Sequence, residues 1–152
     1  ESLNIISEVK FKNQVEHLSS ILSKKLVEIK KKYPDKIETI KGNGILNGIV
    51  FKSYSTVLAK LIETIPLKFI KDKSFFLKKL TATAISCELY EKYGILTSIN
   101  DASGSNHLCV SPSLIISEED VEYFFSSLEK VLQTNLNLKS LEVIFNFLKS
   151  KS

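Results

Sequence analysis

The first thirty or so positions carry apolar residues at Ile5, Ile6, Val9, Leu18, Ile21, Leu22, Leu26 and Ile29, among others. The later ones recur at intervals of three and four, which predicts a long amphipathic helix over about Ser2–Tyr33, broken near Phe11. Lys30, Lys31 and Lys32 crowd its last turn, where cations suit the negative end of the helix dipole. Pro34 then stops it. Beyond Pro34 the period changes. Lys36–Lys41 and Ile45–Phe51 alternate or run apolar, as strands do, and Gly42-Asn43-Gly44 between them permits positive φ. The pair predicts a β-hairpin, and Gly48 inside the second strand predicts close backbone approach by another element.

From Tyr54 to Leu80 the apolar residues Val57, Leu58, Leu61, Ile62, Ile65, Phe69, Ile70, Phe75, Phe76, Leu77 and Leu80 are interleaved with six lysines and interrupted by Pro66. Two short helices packing on the protein itself or on a partner fit this pattern, and so does a basic helix lying on a membrane surface. The packing reading is preferred, because the apolar face of a helix is usually core. Thr81–Tyr93 predicts a helix with Ala84, Ile85, Leu89 and Tyr93 on one face, ended by Gly94 in a left-handed cap. Ile95–Ile99 is a strand, Asn100–Asn106 a polar loop, and Leu108–Ser111 a short strand closed by Pro112. Ser117 with Asp120 three residues on forms a capping-box arrangement. The helix that follows buries Val121, Phe124, Phe125, Leu128, Val131 and Leu132. A last helix over about Leu138–Lys149 carries Leu141, Ile144, Phe145 and Leu148.

At 152 residues this is one domain with room for a real core. The two cysteines, Cys87 and Cys109, make neither a disulfide framework nor a zinc signature with His17 and His107. A reduced, cytoplasmic setting is therefore the simpler expectation. No uncharged run approaches the length of a transmembrane helix, and no signal peptide opens the chain. All 21 basic residues are lysine and the net charge is only +4. Without arginine, the commonest contact to guanine is missing, which argues against sequence-specific nucleic-acid binding. The chain contains no Met and starts at Glu1, so it is expected to be part of a longer or processed polypeptide.

No catalytic motif stands alone. GNGILNG is not a dinucleotide loop, because its third Gly comes one residue late and a β-branched run follows where a helix should start. Ser103-Gly104-Ser105 reads as a surface turn before an anion cradle. His17 reads as a surface group on the first helix. His107, at a loop-to-strand joint, is the better site candidate, yet nothing pairs with it as a nucleophilic triad would require.

The order of segments carries more. A long helix precedes I-K-G-N-G-I-L-N-G-I-V-F (Ile40–Phe51). L-Y-E-K-Y-G-I-L-T (Leu89–Thr97) and H-L-C-V-S-P-S-L-I-I-S-E-E-D-V (His107–Val121) follow. From Asn4 to Leu132 this resembles the C-terminal small domain of class III aminotransferases, fold-type I enzymes that use pyridoxal 5′-phosphate. The similar family segments are a strand entry R-G-x-G-L-x-x-G-I, a helix ending in G-[IVL]-L, and R-x-x-P-P-L-x-[IV]-[ST]-x-x-[DE].

The resemblance implies an α/β two-layer small domain, with a three- to four-stranded mixed or mostly antiparallel sheet backed by helices. The whole of 1–152 is then one lobe of a longer enzyme, with a helical insertion at 54–80 and structural glycines at Gly42, Gly44, Gly48 and Gly94. It implies a homodimeric transaminase acting on small amine and keto substrates, with no nucleic-acid partner and no membrane contact. The Schiff-base lysine and the phosphate-binding residues of the family belong to the large domain. None of the lysines here is assigned that role, no catalytic residue and no metal site is expected in these residues, and by themselves they should be catalytically silent. Cys109, Ser111, Pro112 and His107 are the candidates for the substrate mouth. Departures from the family pattern are Lys41 for an arginine, Ser113 for the second proline, and Cys109 where many members carry the arginine that binds a substrate carboxylate. The rival reading is a non-enzymatic domain that grips a protein or membrane through 54–80.

Overall fold

The computed structural model describes residues 9–53, 60, 72–100 and 106–149. Helix α1 (Val9–Lys32) leads into the hairpin β1 (Ile37–Asn43) and β2 (Leu46–Phe51). Helix α2 (Lys73–Tyr93), strands β3 (Ile99–Asn100) and β4 (His107–Val110), and helices α3 (Glu118–Gln133) and α4 (Leu136–Lys149) follow. The four strands form one sheet in the order β1-β2-β4-β3. Every pairing is antiparallel, which narrows the mixed-sheet expectation.

The helices cover one face of this sheet. Ile49, Phe51, Leu108 and Val110 point into a core completed by Leu22, Leu26 and Ile29 of α1, Ile85 and Leu89 of α2, and Leu128 and Leu132 of α3. These are the three-and-four stripes of the sequence, meeting strands of period two. Helix α1 runs unbroken through Phe11. Val9, counted among its apolar positions, is exposed, and Ile5 and Ile6 lie outside the described residues. A His17–Glu118 hydrogen bond and the ion pairs Lys25–Glu122 and Lys32–Glu129 climb α1 and α3 together, so these helices run in the same direction. Being largely exposed, they fix register more than they add stability.

The joints explain the element ends. Ser117 Oγ accepts from the Asp120 N–H at 3.0 Å and donates to its carboxylate at 2.7 Å. Asp120 thus returns the bond to the cap's hydroxyl, where a longer Glu would reach the cap's backbone N–H. Gly94 ends α2 at φ 67°, its N–H bonded to the Tyr90 carbonyl. The stretch after it touches the ladder only through the Ser98 carbonyl, which accepts from the Cys109 N–H at 2.8 Å, so the strand expected at Ile95–Ile99 is reduced to Ile99–Asn100.

Helix α2 starts eight residues before the expected Thr81. Asp72 caps it by accepting from the Phe75 N–H at 2.9 Å, and buried Asn106 donates to the Phe75 carbonyl at 2.7 Å. Phe76, Leu77 and Leu80 then pack against Val143 and Ile144 of α4. Residues 73–80, expected as part of two short helices, are instead the first two turns of the 21-residue helix α2 and pack on the protein itself. Residues 54–59 and 61–71, on which the rival reading also depends, lie outside the described residues. No described helix is long and apolar enough to cross a membrane.

Of the apolar positions read on helix α4, Ile144 faces inward and Leu141 and Phe145 do not. Leu136, Ser140 and Ile144 are buried at i, i+4 and i+8, and the side chain of Leu148 is outside the described residues. Lys139 joins α4 to α2 through Glu91 at 2.6 Å, and bonds Glu142 at 3.0 Å. The hydrogen bond to Glu91 outweighs desolvation and, with that to Glu142, raises Lys139 well above the ordinary lysine value. A proton held more tightly when folded stabilises fully below the unfolded lysine range, and that contribution is lost as pH climbs from about 10.4 through the folded value. Urea midpoints should therefore fall from about pH 9 to about pH 11, and Lys139→Met should flatten part of that fall. An unchanged slope in the variant would show that the pair does not couple to folding.

Candidate functional site

The alternation of β4 decides what faces where. Leu108 and Val110 enter the core; His107 and Cys109 project from the opposite face, and both are half-buried. Across the sheet, Lys41 of β1 pairs with Gly48 of β2, and Gly48 with Cys109 of β4. Likewise Thr39, Val50, His107 and Asn100 stand in line. This face thus carries Lys41, Cys109, Thr39, His107 and Asn100 around one glycine, with buried Val50 and exposed Leu46 as its apolar members.

The sequence predicts that Gly48 admits a neighbouring backbone. It admits a side chain instead: a Cβ there would sit 2.3 Å from His107 Cδ2. The imidazole leans diagonally across β2 into the space that Gly48 leaves.

Two cavities meet at the end of β4. The larger, about 680 Å³, lies between the Gly94–Ser98 link, the strand end and the first half of α3, and Cys109, Ser111 and Pro112 line it. Its remaining walls are mostly apolar, with Leu96, Val121 and Phe124 among them. The link is held by Ser86 and Thr97, whose hydroxyls are 2.8 Å apart, and by the Tyr123 hydroxyl donating to the Tyr93 carbonyl at 3.0 Å. Leu96 in the wall and Ile115, next to the lining residue Ile116, are more than four-fifths exposed.

The smaller cavity, about 240 Å³, lies on the face opposite the core and is lined by Lys41, Asn47, Gly48, Asn100 and His107, again with Cys109 and Ser111. Cys109 and Ser111 therefore serve both cavities, Pro112 only the larger and His107 only the smaller. Lys41, Asn47 and Asn100 enter the site unforeseen. Their signal lay in strand register, which a single strand read alone does not reveal. Ser103-Gly104-Ser105 lies outside the described residues.

Neither cavity fits a complete pyridoxal 5′-phosphate site. The larger has no lysine among the described residues, and its one carboxylate there, Asp120, is engaged by Ser117. The smaller has a lysine and no described carboxylate. Such a site needs a lysine, a partner for the ring nitrogen and a phosphate cradle together. Among the described residues no group of three metal-ligating side chains forms. Cys87 and Cys109 are both free thiols; burial pushes the Cys87 thiol up, away from reactivity.

Comparison with known proteins gives the family and the fold. The sequence model of a family described as "Aminotransferase class-III" matches residues 1–132. A curated relative from Saccharomyces cerevisiae, described as a mitochondrial acetylornithine aminotransferase, is 34% identical over 90 residues. That alignment covers 59% of this chain and 21% of the relative, so the chain spans about a fifth of the relative's length. A lysine aminotransferase from M. tuberculosis superposes with a TM-score of 0.61 at 11% identity, covering 86% of this chain and 23% of that one. A transaminase from the marine bacterium Virgibacillus gives 0.60 at 14% identity, covering 92% and 27%. A Bacillus anthracis aminotransferase gives 0.56 at 21% identity, covering 86% and 26%. At these identities the structural likeness speaks for the fold: a four-stranded antiparallel sheet backed by helices.

Proposed function

Because the chain belongs to the class III aminotransferases, we propose that it forms the C-terminal lobe of a pyridoxal 5′-phosphate-dependent transaminase, moving an amino group from an amine or amino-acid donor to a keto or aldehyde acceptor. The observation that carries the reading is the face of the sheet opposite the core. A core covered by helices on one side leaves His107, Cys109 and Ser111 on the other, beside two cavities that share the end of β4. In this reading the lobe forms one wall of the substrate mouth. The cofactor supplies the amino-carrying chemistry and is held by the remainder of a complete enzyme.

The contribution of these residues is shape and polarity. The apolar walls of the larger cavity exclude water from a bound hydrocarbon portion. Cys109, a small and weakly polar group, sits where the cavities meet and offers no fixed cation there. A donor that presents an amine or an ω-amino group at this point is favoured over one that presents an α-carboxylate. Homodimerisation, small-molecule amine and keto substrates and a reducing compartment, of which the cytoplasm is the simplest, complete the proposal. Two unpaired thiols agree equally with an organelle matrix.

The test is a visible absorption spectrum of the complete protein before and after an amine donor is added. A bound-pyridoxal band that shifts on addition supports the transaminase; a protein that takes up no pyridoxal phosphate overturns it. In the same enzyme, Cys109→Arg should move preference toward α-amino-acid donors by about tenfold or more, the worth of one charge-assisted pair. Unchanged ratios of kcat/KM across donors would remove Cys109 from specificity.

A further inference from the structure

The smaller cavity has a chemistry of its own. Its polar lining residues on this face are Lys41, Asn100, His107, Cys109 and Ser111, and no described carboxylate lines it; Asn47, also in the lining, stands in register with core-facing Val110 and donates its amide to the Gly44 carbonyl. Lys41 is exposed on β1 and pairs with no carboxylate among the described residues. This contrasts with Lys25, Lys32, Lys78, Lys92 and Lys139, each of which has a glutamate. Lys41, Gly48 and Cys109 stand in line across three strands, so Lys41 and Cys109 are separated by two strand spacings, roughly 10 Å. Gly48 puts no side chain between them, and the His107 ring leans into that gap from the far side. The result is a recess bordered by one ammonium, one imidazole, one amide, a thiol and a hydroxyl, with Leu46 at its edge.

We propose that this recess is a binding site for a compact oxyanion, a carboxylate or a phosphate, with Lys41 as its cation and His107 as its hydrogen-bonding wall. At about 240 Å³ it falls below the usual range for a whole ligand, roughly 300–1,000 Å³, and suits a terminal group. Lys acts here as a point charge, which accepts carboxylate and phosphate alike, where a guanidinium fork would impose two-pronged geometry. The cation therefore comes from β1, two strands away from Cys109. In the context of the proposed transaminase, and resting on that reading, the anion is a carboxylate remote from the reacting amine, as on an ω-amino acid. The binding itself does not depend on that reading.

The chain has only two histidines, and His17 lies elsewhere, on α1 beside Glu118. Their imidazole NMR signals therefore give a site probe and an internal control in the same sample of the 152-residue chain. Inorganic phosphate and succinate are titrated separately at constant ionic strength, with chloride as reference. A saturable shift of His107 with His17 unmoved supports the site. The tighter of the two anions then identifies the source as phosphate or carboxylate. Lys41→Gln should weaken the saturable shift by about tenfold or more, the worth of a hydrogen bond to a charged group, and Lys41→Arg should restore most of it. Lys41 is exposed, so its loss leaves the core intact. No saturable shift, equal shifts of both histidines, or undiminished binding by Lys41→Gln would each overturn the proposal. If the anion binds and the complete protein takes up no pyridoxal phosphate, the site stands and the transaminase reading fails.

Discussion

Replacing Gly42 with alanine should cost the fold about 2–5 kcal/mol, combining left-handed backbone strain with a collision that has no soft partner. Gly42 holds φ at 99° in the last turnward pairs of the hairpin, opposite Asn47. A Cβ there would lie 2.1 Å from the Leu46 carbonyl oxygen and 2.9 Å from the Asn47 Cα. Both are backbone atoms, so relief requires the strands themselves to part. The variant should lower the urea midpoint sharply and disturb the amide signals of both strands. Gly94→Ala provides the comparison: φ is 67° there, but nothing lies within 4 Å of the new methyl. That change should cost only the backbone preference, about 1–2 kcal/mol. If the two variants lose the same stability, the close approach at Gly42 carries no energetic weight.

Ending the chain after Asn135 should be as damaging. Helix α4 lies beyond the family-matched residues 1–132, yet it contributes Leu136 to the main core and Ile144 to a second cluster around Leu80. Losing two such side chains forfeits roughly 3–6 kcal/mol at about 1.5–3 kcal/mol each, before counting the newly exposed Leu80. That is a large share of a domain stability of about 5–15 kcal/mol. Hydrogen exchange should show the loss first in the opening turns of α2, where Phe76, Leu77 and Leu80 pack on α4. Equal protection of those amides in the shortened and full chains would mean that α4 is an ornament on an already complete lobe.

What can be read from the sequence depends on whether the information is local. The stripes of α1 and α3, the Ser117 cap, the Gly94 stop and the hairpin are each written within a few residues. Helix α2 hides its start because Phe75, Phe76 and Leu77 run together without a period, and its Asp72 cap gives a weaker cue than the apolar run preceding it. Hydropathy places Ile144 on the inward face of α4 but misses the rest of that face, because Ser140 and Lys139 lie inward while Leu141 and Phe145 do not. Partners on α2, rather than hydropathy, choose that face. At the site, Cys109 and His107 can be placed on one strand, but Lys41 joins them only through pairings across β2. Gly48 announces a close approach without saying that an imidazole makes it.

The strand order has one more consequence, for how the chain reaches this shape. The two central strands are not neighbours in sequence: Asn47 pairs with Val110 and Val50 with His107. Joining them closes a loop of roughly 60 residues before any ladder bond is gained, an entropic toll that slows folding far more than it weakens the product. The hairpin can form as soon as it is made, but during synthesis its inner edge must wait, unpaired, for β4 to emerge. Slow refolding with an early hairpin, and an aggregation risk confined to that interval, are the expected kinetic marks of the β1-β2-β4-β3 order.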